Sequence, residues 1–366
     1  MAKPAICYIS SLSIHSSRWI DAFSQKGYKT SLITDKETWV ASAPKSTQIF
    51  RLPALSKQNS HKRFIPNTLD LVRIIRKLNP DLIHLHALHY YAPAIFLSNH
   101  SYILTSWGLE VLELLESGFV EKTLAKMAAT LARQITVDAE CLKEIWTRNG
   151  IPDDKIDVIP FGVDINMFHP RSSRNTIRKK LGIKSTDTQI ISTRPFFNHH
   201  YNIECLINAI PLVLKSHKNV KFILKGTGPL EPYFRKLVEK LKIAEYVHFI
   251  GLVPHADVAR YLASSDIYVS TSFIDSTSVS LLEAMACGAA PVVTDILGNR
   301  EWIQDGANGF LFPPRDSRTL AEKIIQLIEN PHLQELYSQR NYKIIREKAD
   351  WQKCVSKMEA IYESLL

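Results

Sequence analysis

Two doubly wound α/β halves are the architecture this sequence predicts. Apolar runs of four to six residues alternate with helix-length amphipathic segments almost throughout, which is the pattern of βαβ units around a parallel sheet. The alternation breaks once and then restarts. At 366 residues the chain also exceeds what one hydrophobic core usually serves.

In the first half the strands are read at Ala5 to Ile9, Ser31 to Thr34, Gln48 to Leu52, Leu82 to Leu85, Tyr102 to Thr105, Gln134 to Val137 and Ile156 to Ile159. Helices lie between them, such as Trp19 to Lys26, stopped by Gly27, and Leu69 to Leu78, ended before Pro80. The segment GVDINMFHPRSSRN interrupts the rhythm and is read as a hinge. Strands resume at Gln189 to Ser192, Val220 to Leu224, Val247 to Ile250, Ile267 to Val269, Pro291 to Thr294 and Gly309 to Phe312. An amphipathic segment, Trp351 to Leu366, stands apart from both sets. The expected domains are 1–168, 169–346 and a final helix within 347–366. Ligands of such folds bind outside the carboxyl ends of the strands, here facing across a cleft.

Composition sets the broad class. Apolar content of 45% with 22% charge describes an ordinary globular protein, and no window reaches the roughly 18 to 20 apolar residues of a membrane span. AICYISSLSI lacks a basic lead and reads as a first strand rather than a signal peptide. Cys7, Cys141, Cys205, Cys287 and Cys354 have no close metal-binding or redox spacing, so a reducing cytoplasm is expected. A net charge of +9 suits an acidic partner, such as a diphosphate substrate or anionic lipid. Nucleic acid ranks last, because no RNA- or DNA-binding motif accompanies the charge. A dinucleotide dehydrogenase is disfavoured too, since SSLSIHSSRW stands where GxGxxG would follow the first strand.

The most informative stretch is STSFIDSTSVSLLEAMACGAAP, from Ser270 to Pro291. It places Asp275 in a polar loop after a strand and Glu283 eight positions later, inside the helix that the loop feeds. A helix rises about 1.5 Å per residue, so the two carboxylates bracket an elongated ligand rather than share a proton. Ser276, Thr277 and Ser278 lie between them, at a helix start whose free N–H groups and dipole favour an anion. Hydroxyls at both ends and phosphate in the middle describe a nucleotide-activated sugar. Ser280 and Glu283 also fit a capping box on an ordinary helix, with Leu281, Leu282 and Met285 in the core.

This segment resembles the signature of the family 4 retaining glycosyltransferases of the GT-B fold, in which two carboxylates eight apart precede a run like EAMACG and a PVV strand. VIPFGVDINMFHP and DGANGFLFPP are similar to the family's interdomain segment and late strand, so the resemblance covers nearly the whole chain. It implies two Rossmann-like domains facing across a cleft, a last helix crossing back to the first domain, and no cofactor or metal. It further implies that Asp275, where the family usually has Glu, touches the transferred sugar and that Glu283 touches the ribose. Arg194, after the strand QIIST, stands where the family has an arginine on the donor diphosphate. His199 and His200 occupy the positions where a lysine is usual, and Lys225 is expected to compensate. The paired glycines of the family's first loop are replaced by His15 and Ser16.

Several other segments carry candidate residues. The turn from Gly226 to Pro229 lets backbone approach a ligand, and Leu252 and Val253 are expected nucleobase contacts through backbone, with core side chains. In IHLHALHYY, His84 and His86 project to one side of a strand while His89 falls in the next loop. His84 is read as a satisfied core histidine. The resemblance implies that His86 lies near the reacting sugar, and a metal is not expected because no carboxylate or Cys has a helpful spacing. His15, His89, Trp107 and Glu110 are the expected acceptor contacts. A basic loop (Lys57, His61, Lys62, Arg63) and a helix bearing Arg73, Arg76 and Lys77 fit an anionic membrane surface or a solvated face.

The function expected is retaining transfer of a sugar from a UDP- or GDP-linked donor to a hydroxyl of a glycan or lipid-linked acceptor, in polysaccharide or lipopolysaccharide synthesis. It would take place in the cytoplasm or on the inner face of the membrane. The alternatives are a nucleotide-sugar 2-epimerase of the same fold, or a nucleotide-sugar-binding protein with a decayed site.

Overall fold

The computed structural model describes residues 3–10, 14–34, 46–52, 60–86, 91–108, 111, 118–170 and 175–366. It divides into two compact units, Met1–Pro160 with Cys354–Leu366, and Phe161–Lys353. Every strand expected from the sequence forms, with ends displaced by a residue or two at most.

The first unit holds a parallel sheet of β1 (Ala5–Ile9), β2 (Lys29–Thr34), β3 (Gln48–Arg51), β4 (Leu82–His86), β5 (Tyr102–Ser106), β6 (Gln134–Val137) and β7 (Ile156–Val158). Their spatial order is β3-β2-β1-β4-β5-β6-β7, so the winding reverses between β1 and β4. β4 and β5 are buried at every residue, the polar His84, His86, Thr105 and Ser106 included, as in a sheet covered on both faces. Two helix starts differ from the sequence reading: the first helix, Ile14–Gln25, begins five residues before Trp19. Helix Ser60–Leu78 begins well before Leu69, so His61, Lys62 and Arg63 are helical rather than part of a loop. Pro66 lies inside that helix, where it forfeits one backbone hydrogen bond, and the long amphipathic run after it carries the segment.

The last helix, Trp351–Leu365, completes this unit with its final residues. Its Tyr362 is fully buried, and the hydroxyl lies 3.2 Å from the Tyr8 hydroxyl and 2.5 Å from His84 Nδ1. The other ring nitrogen of His84 bonds the Thr105 hydroxyl, so His84 is the satisfied core histidine expected. Glu359, one turn earlier, pairs with Lys3 at 3.0 Å and Lys26 at 2.6 Å. Burial opposes its charge, yet the two lysines hold its carboxyl below the usual range.

The second unit holds β8 (Thr188–Ser192), β9 (Val220–Lys225), β10 (Val247–Gly251), β11 (Ile267–Ser270), β12 (Ala290–Thr294) and β13 (Phe310–Phe312). They form a parallel sheet in the order β10-β9-β8-β11-β12-β13, with the reversal between β8 and β11. Buried Arg178 ties the amino ends of those two strands. Its guanidinium donates to Asp266 Oδ2 at 2.6 Å, and the same oxygen accepts from Gln189 N at 2.8 Å.

Candidate active site

In a doubly wound sheet the strand order reverses at one place, and the loops leaving the two strands there diverge and open a crevice at their carboxyl ends. In the second unit those loops are the segment from Thr193 after β8 and the segment from Thr271 after β11. The first carries Arg194 and the second carries Asp275.

Asp275 lies in the loop and Glu283 lies inside helix Val279–Cys287, as the spacing requires. The N-cap is Ser278, whose side chain accepts from Leu281 N. Glu283 therefore does not belong to a capping box, which would place the acidic residue three positions after the cap. Its carboxylate is released for another use.

Arg194 is 8% exposed and its guanidinium is saturated. Nε donates to Ser272 Oγ at 3.0 Å, and one terminal nitrogen donates to Ser278 Oγ and Ser280 Oγ, both at 2.9 Å. The other donates to Ser272 Oγ at 2.9 Å and to Asp275 Oδ2. A guanidinium has five N–H groups, so none is left over. The Tyr201 ring lies 5.0 Å from the guanidinium carbon, and the Arg194 charge is held above its usual range against burial by Asp275.

The serine-rich loop is fastened from other sides as well. Thr294 Oγ1 donates to Ser272 O at 2.5 Å, Phe273 N to His200 O at 2.8 Å, and Thr271 Oγ1 to Tyr201 O at 2.8 Å. Gly298 presses directly beneath it. A Cβ built there would overlap the Ser276 carbonyl oxygen and come within 2.6 Å of the Asp275 oxygen.

The Gly226 to Pro229 turn makes a close approach of this kind, but to protein. A Cβ on Gly226 would lie 2.6 Å from Arg194 O, and one on Gly228 would overlap the Phe196 backbone. Phe196 N donates to Thr227 O at 3.0 Å, so the turn and the Arg194 segment are interlocked. Lys225, at the end of β9, is half-buried; burial lowers its pKa while the nearby Glu283 carboxylate raises it. Leu252 departs from the sequence reading: its side chain is 73% exposed rather than core, and Val253 is only partly buried. Both follow β10, where the chain turns out of the sheet before the next helix.

Glu283 is 6% exposed and accepts a 2.8 Å hydrogen bond from His255 Nε2. Sequence reasoning missed this partner. His255 opens helix His255–Ser264 after Pro254, and the signal available was only a histidine at a helix start, which has many ordinary uses.

In the first unit, His86 ends β4 beside the β1/β4 reversal. It is 1% exposed, and neither ring nitrogen meets a hydrogen-bond partner among the described residues. Burial lowers its pKa to about 3, which keeps the imidazole neutral at physiological pH. The His84 ring lies 4.2 Å away, and Trp107 packs 4.8 Å from His86 and 6.0 Å from His15. His15, His86 and Trp107 are thus brought together, while His89 and Glu110 lie outside the described residues. Among the described residues no group of three or more His, Cys, Asp or Glu side chains could hold a metal ion.

Comparison with known proteins decides the family. Residues 173–344 match the family model "Glycosyl transferases group 1", and residues 5–139 match "Glycosyl transferase 4-like". The chain belongs to the group 1 glycosyltransferases. HepE of Anabaena, solved in complex with UDP and glucose, superposes on this glycosyltransferase with a TM-score of 0.82 at 17% identity, covering 99% of this chain and 100% of that one. The fold is therefore GT-B. Among curated relatives, one subunit of the phosphatidylinositol N-acetylglucosaminyltransferase of Arabidopsis thaliana is 26% identical over 68% of this chain and 52% of its own length. Alpha-monoglucosyldiacylglycerol synthase of Acholeplasma laidlawii is 24% identical over 72% of this chain and 70% of its own. The chain spans about half the length of several curated relatives it matches (52%, 59% and 43%).

Proposed function

We propose that this glycosyltransferase moves a hexose, with retention, from a nucleoside-diphosphate sugar to a hydroxyl of a lipid-linked or glycan acceptor. The observation that carries the reading is the pair of carboxylates held at the β8/β11 reversal: Asp275 in a fastened loop, and Glu283 buried in the helix which that loop feeds. Glu283 takes the ribose, Asp275 the sugar hydroxyls, and the amide groups around Ser276 to Ser278 the diphosphate, with Lys225 adding charge beside Glu283. Arg194 lends its charge from behind the loop. The backbone of Leu252 and Val253 lies against the base.

In the transfer, the bond between the anomeric carbon and the phosphate oxygen breaks as the acceptor oxygen bonds that carbon on the same face. The departing phosphate takes the acceptor proton. Neutral His86 has unbonded nitrogens that can serve a sugar as hydrogen-bonding groups rather than as a competing cation. Incubation with UDP- and GDP-sugars and lipid or glycan acceptors should yield a product whose anomeric configuration, read by NMR, equals that of the donor; inversion discards the mechanism. Glu283→Ala should weaken nucleotide binding about 10- to 100-fold in calorimetry. Unchanged affinity would remove the donor site from this helix.

A lipid-borne acceptor has support from the surface of the first unit. Helix Ser60–Leu78 packs on helix Ala92–Leu97, which packs on helix Phe119–Leu131. These helices expose Leu69, Phe96, Leu97, Phe119 and Val120 beside basic Arg73, Arg76 and Lys77. No helix among the described residues is long and apolar enough to cross a membrane, and the contact proposed is a peripheral one. Each basic residue near an anionic surface contributes about 1 kcal/mol. The protein should co-sediment with phosphatidylglycerol vesicles and not with phosphatidylcholine vesicles, and Phe96→Ser with Phe119→Ser should release it. Equal sedimentation with both lipids, or none, counts against peripheral binding.

A further inference from the structure

Glu283 is expected to hold the ribose, yet a glutamate side chain turns about three torsions, and Lys225 offers its charge from the end of β9. His255 restrains the glutamate: its Nε2 donates to Glu283 Oε1 at 2.8 Å, which fixes one carboxylate oxygen. The ring is itself restrained, with Phe168 packed 5.0 Å away and the backbone anchored at the start of helix His255–Ser264. The Glu283 side chain is 8% exposed and that of His255 is 41% exposed, so the pair runs from the interior to the surface.

We propose that His255 is a positioning residue for the nucleotide: it holds Glu283 so that the remaining oxygen addresses the ribose diol. His255 follows Leu252 and Val253 by three and two residues, so the segment against the base also sets the ribose contact. Base and ribose recognition are thereby linked through a single turn of chain. The inference rests on the reading of Glu283 as the ribose partner.

Calorimetry of the whole protein with UDP, GDP and ADP, and with the 2′,3′-dideoxy form of whichever binds, tests it. The wild type should prefer the ribose form by about tenfold or more. His255→Leu should lose about tenfold for the ribose nucleotide and bind the dideoxy nucleotide as the wild type does. His255→Gln, which can donate from nearly the same place, should recover most of the loss. If His255→Leu weakens both ligands equally, or neither, the positioning role is overturned while the ribose reading stands. If the wild type binds the ribose and dideoxy forms alike, or binds no nucleotide, the ribose reading fails and takes this proposal with it.

Discussion

Arg194→Met should cost about 3 to 5 kcal/mol of stability and abolish transfer, the loss expected when one member of a largely buried ion pair is removed. The substitution keeps an unbranched apolar stem but strands the Asp275 carboxylate and the hydroxyls of Ser272, Ser278 and Ser280, all of which use the guanidinium. Urea denaturation and steady-state kinetics measure the two effects. Adding Asp275→Asn should restore part of the stability, because an amide is far cheaper to leave unpaired than a carboxylate, and should restore none of the activity. If Arg194→Met instead weakens donor binding with stability intact, the arginine serves the substrate more than the loop.

Gly298→Ala should lower kcat/KM about 100-fold, the scale of a displacement near 1 Å in reacting groups. The added methyl has nowhere to go, since backbone carbonyls of Ser276 and Asp275 occupy its place. Backbone yields less readily than a side-chain tip. The loop must therefore shift, carrying the sugar contact away from the ribose contact. Thermal unfolding should register a smaller loss, about 1 to 3 kcal/mol, as overpacking usually costs. Full activity in Gly298→Ala would mean that the loop position is not set by this contact.

Local pattern revealed the fold because each strand and helix announces itself within a few residues. The β11 strand, the loop with Asp275 and the helix with Glu283 are contiguous, so their order and spacing could be read directly. What could not be read were partners distant in the chain. Ser272 and Ser280 look like ordinary loop and helix serines until Arg194, 78 and 86 positions earlier, reaches both. His255 and Glu283 are 28 residues apart with a strand between them, and no periodicity couples them. The glycines at 226 and 228 were legible as close-approach sites, but their neighbour is the Arg194 segment, which only the sheet order brings near. Leu252 failed for a related reason, because an apolar residue just past a strand end carries no mark of which way the chain turns.

Tyr8 and His84 wait on Tyr362, 354 and 278 residues downstream, for the hydroxyl that joins them. During synthesis the first unit's sheet must therefore emerge with this interior face uncovered, and it stays so until the ribosome has made helix Trp351–Leu365. A nascent form halted before residue 354 should be a chaperone client, and anything that hinders docking of this helix would harm a sheet built from residues far ahead of it in the chain.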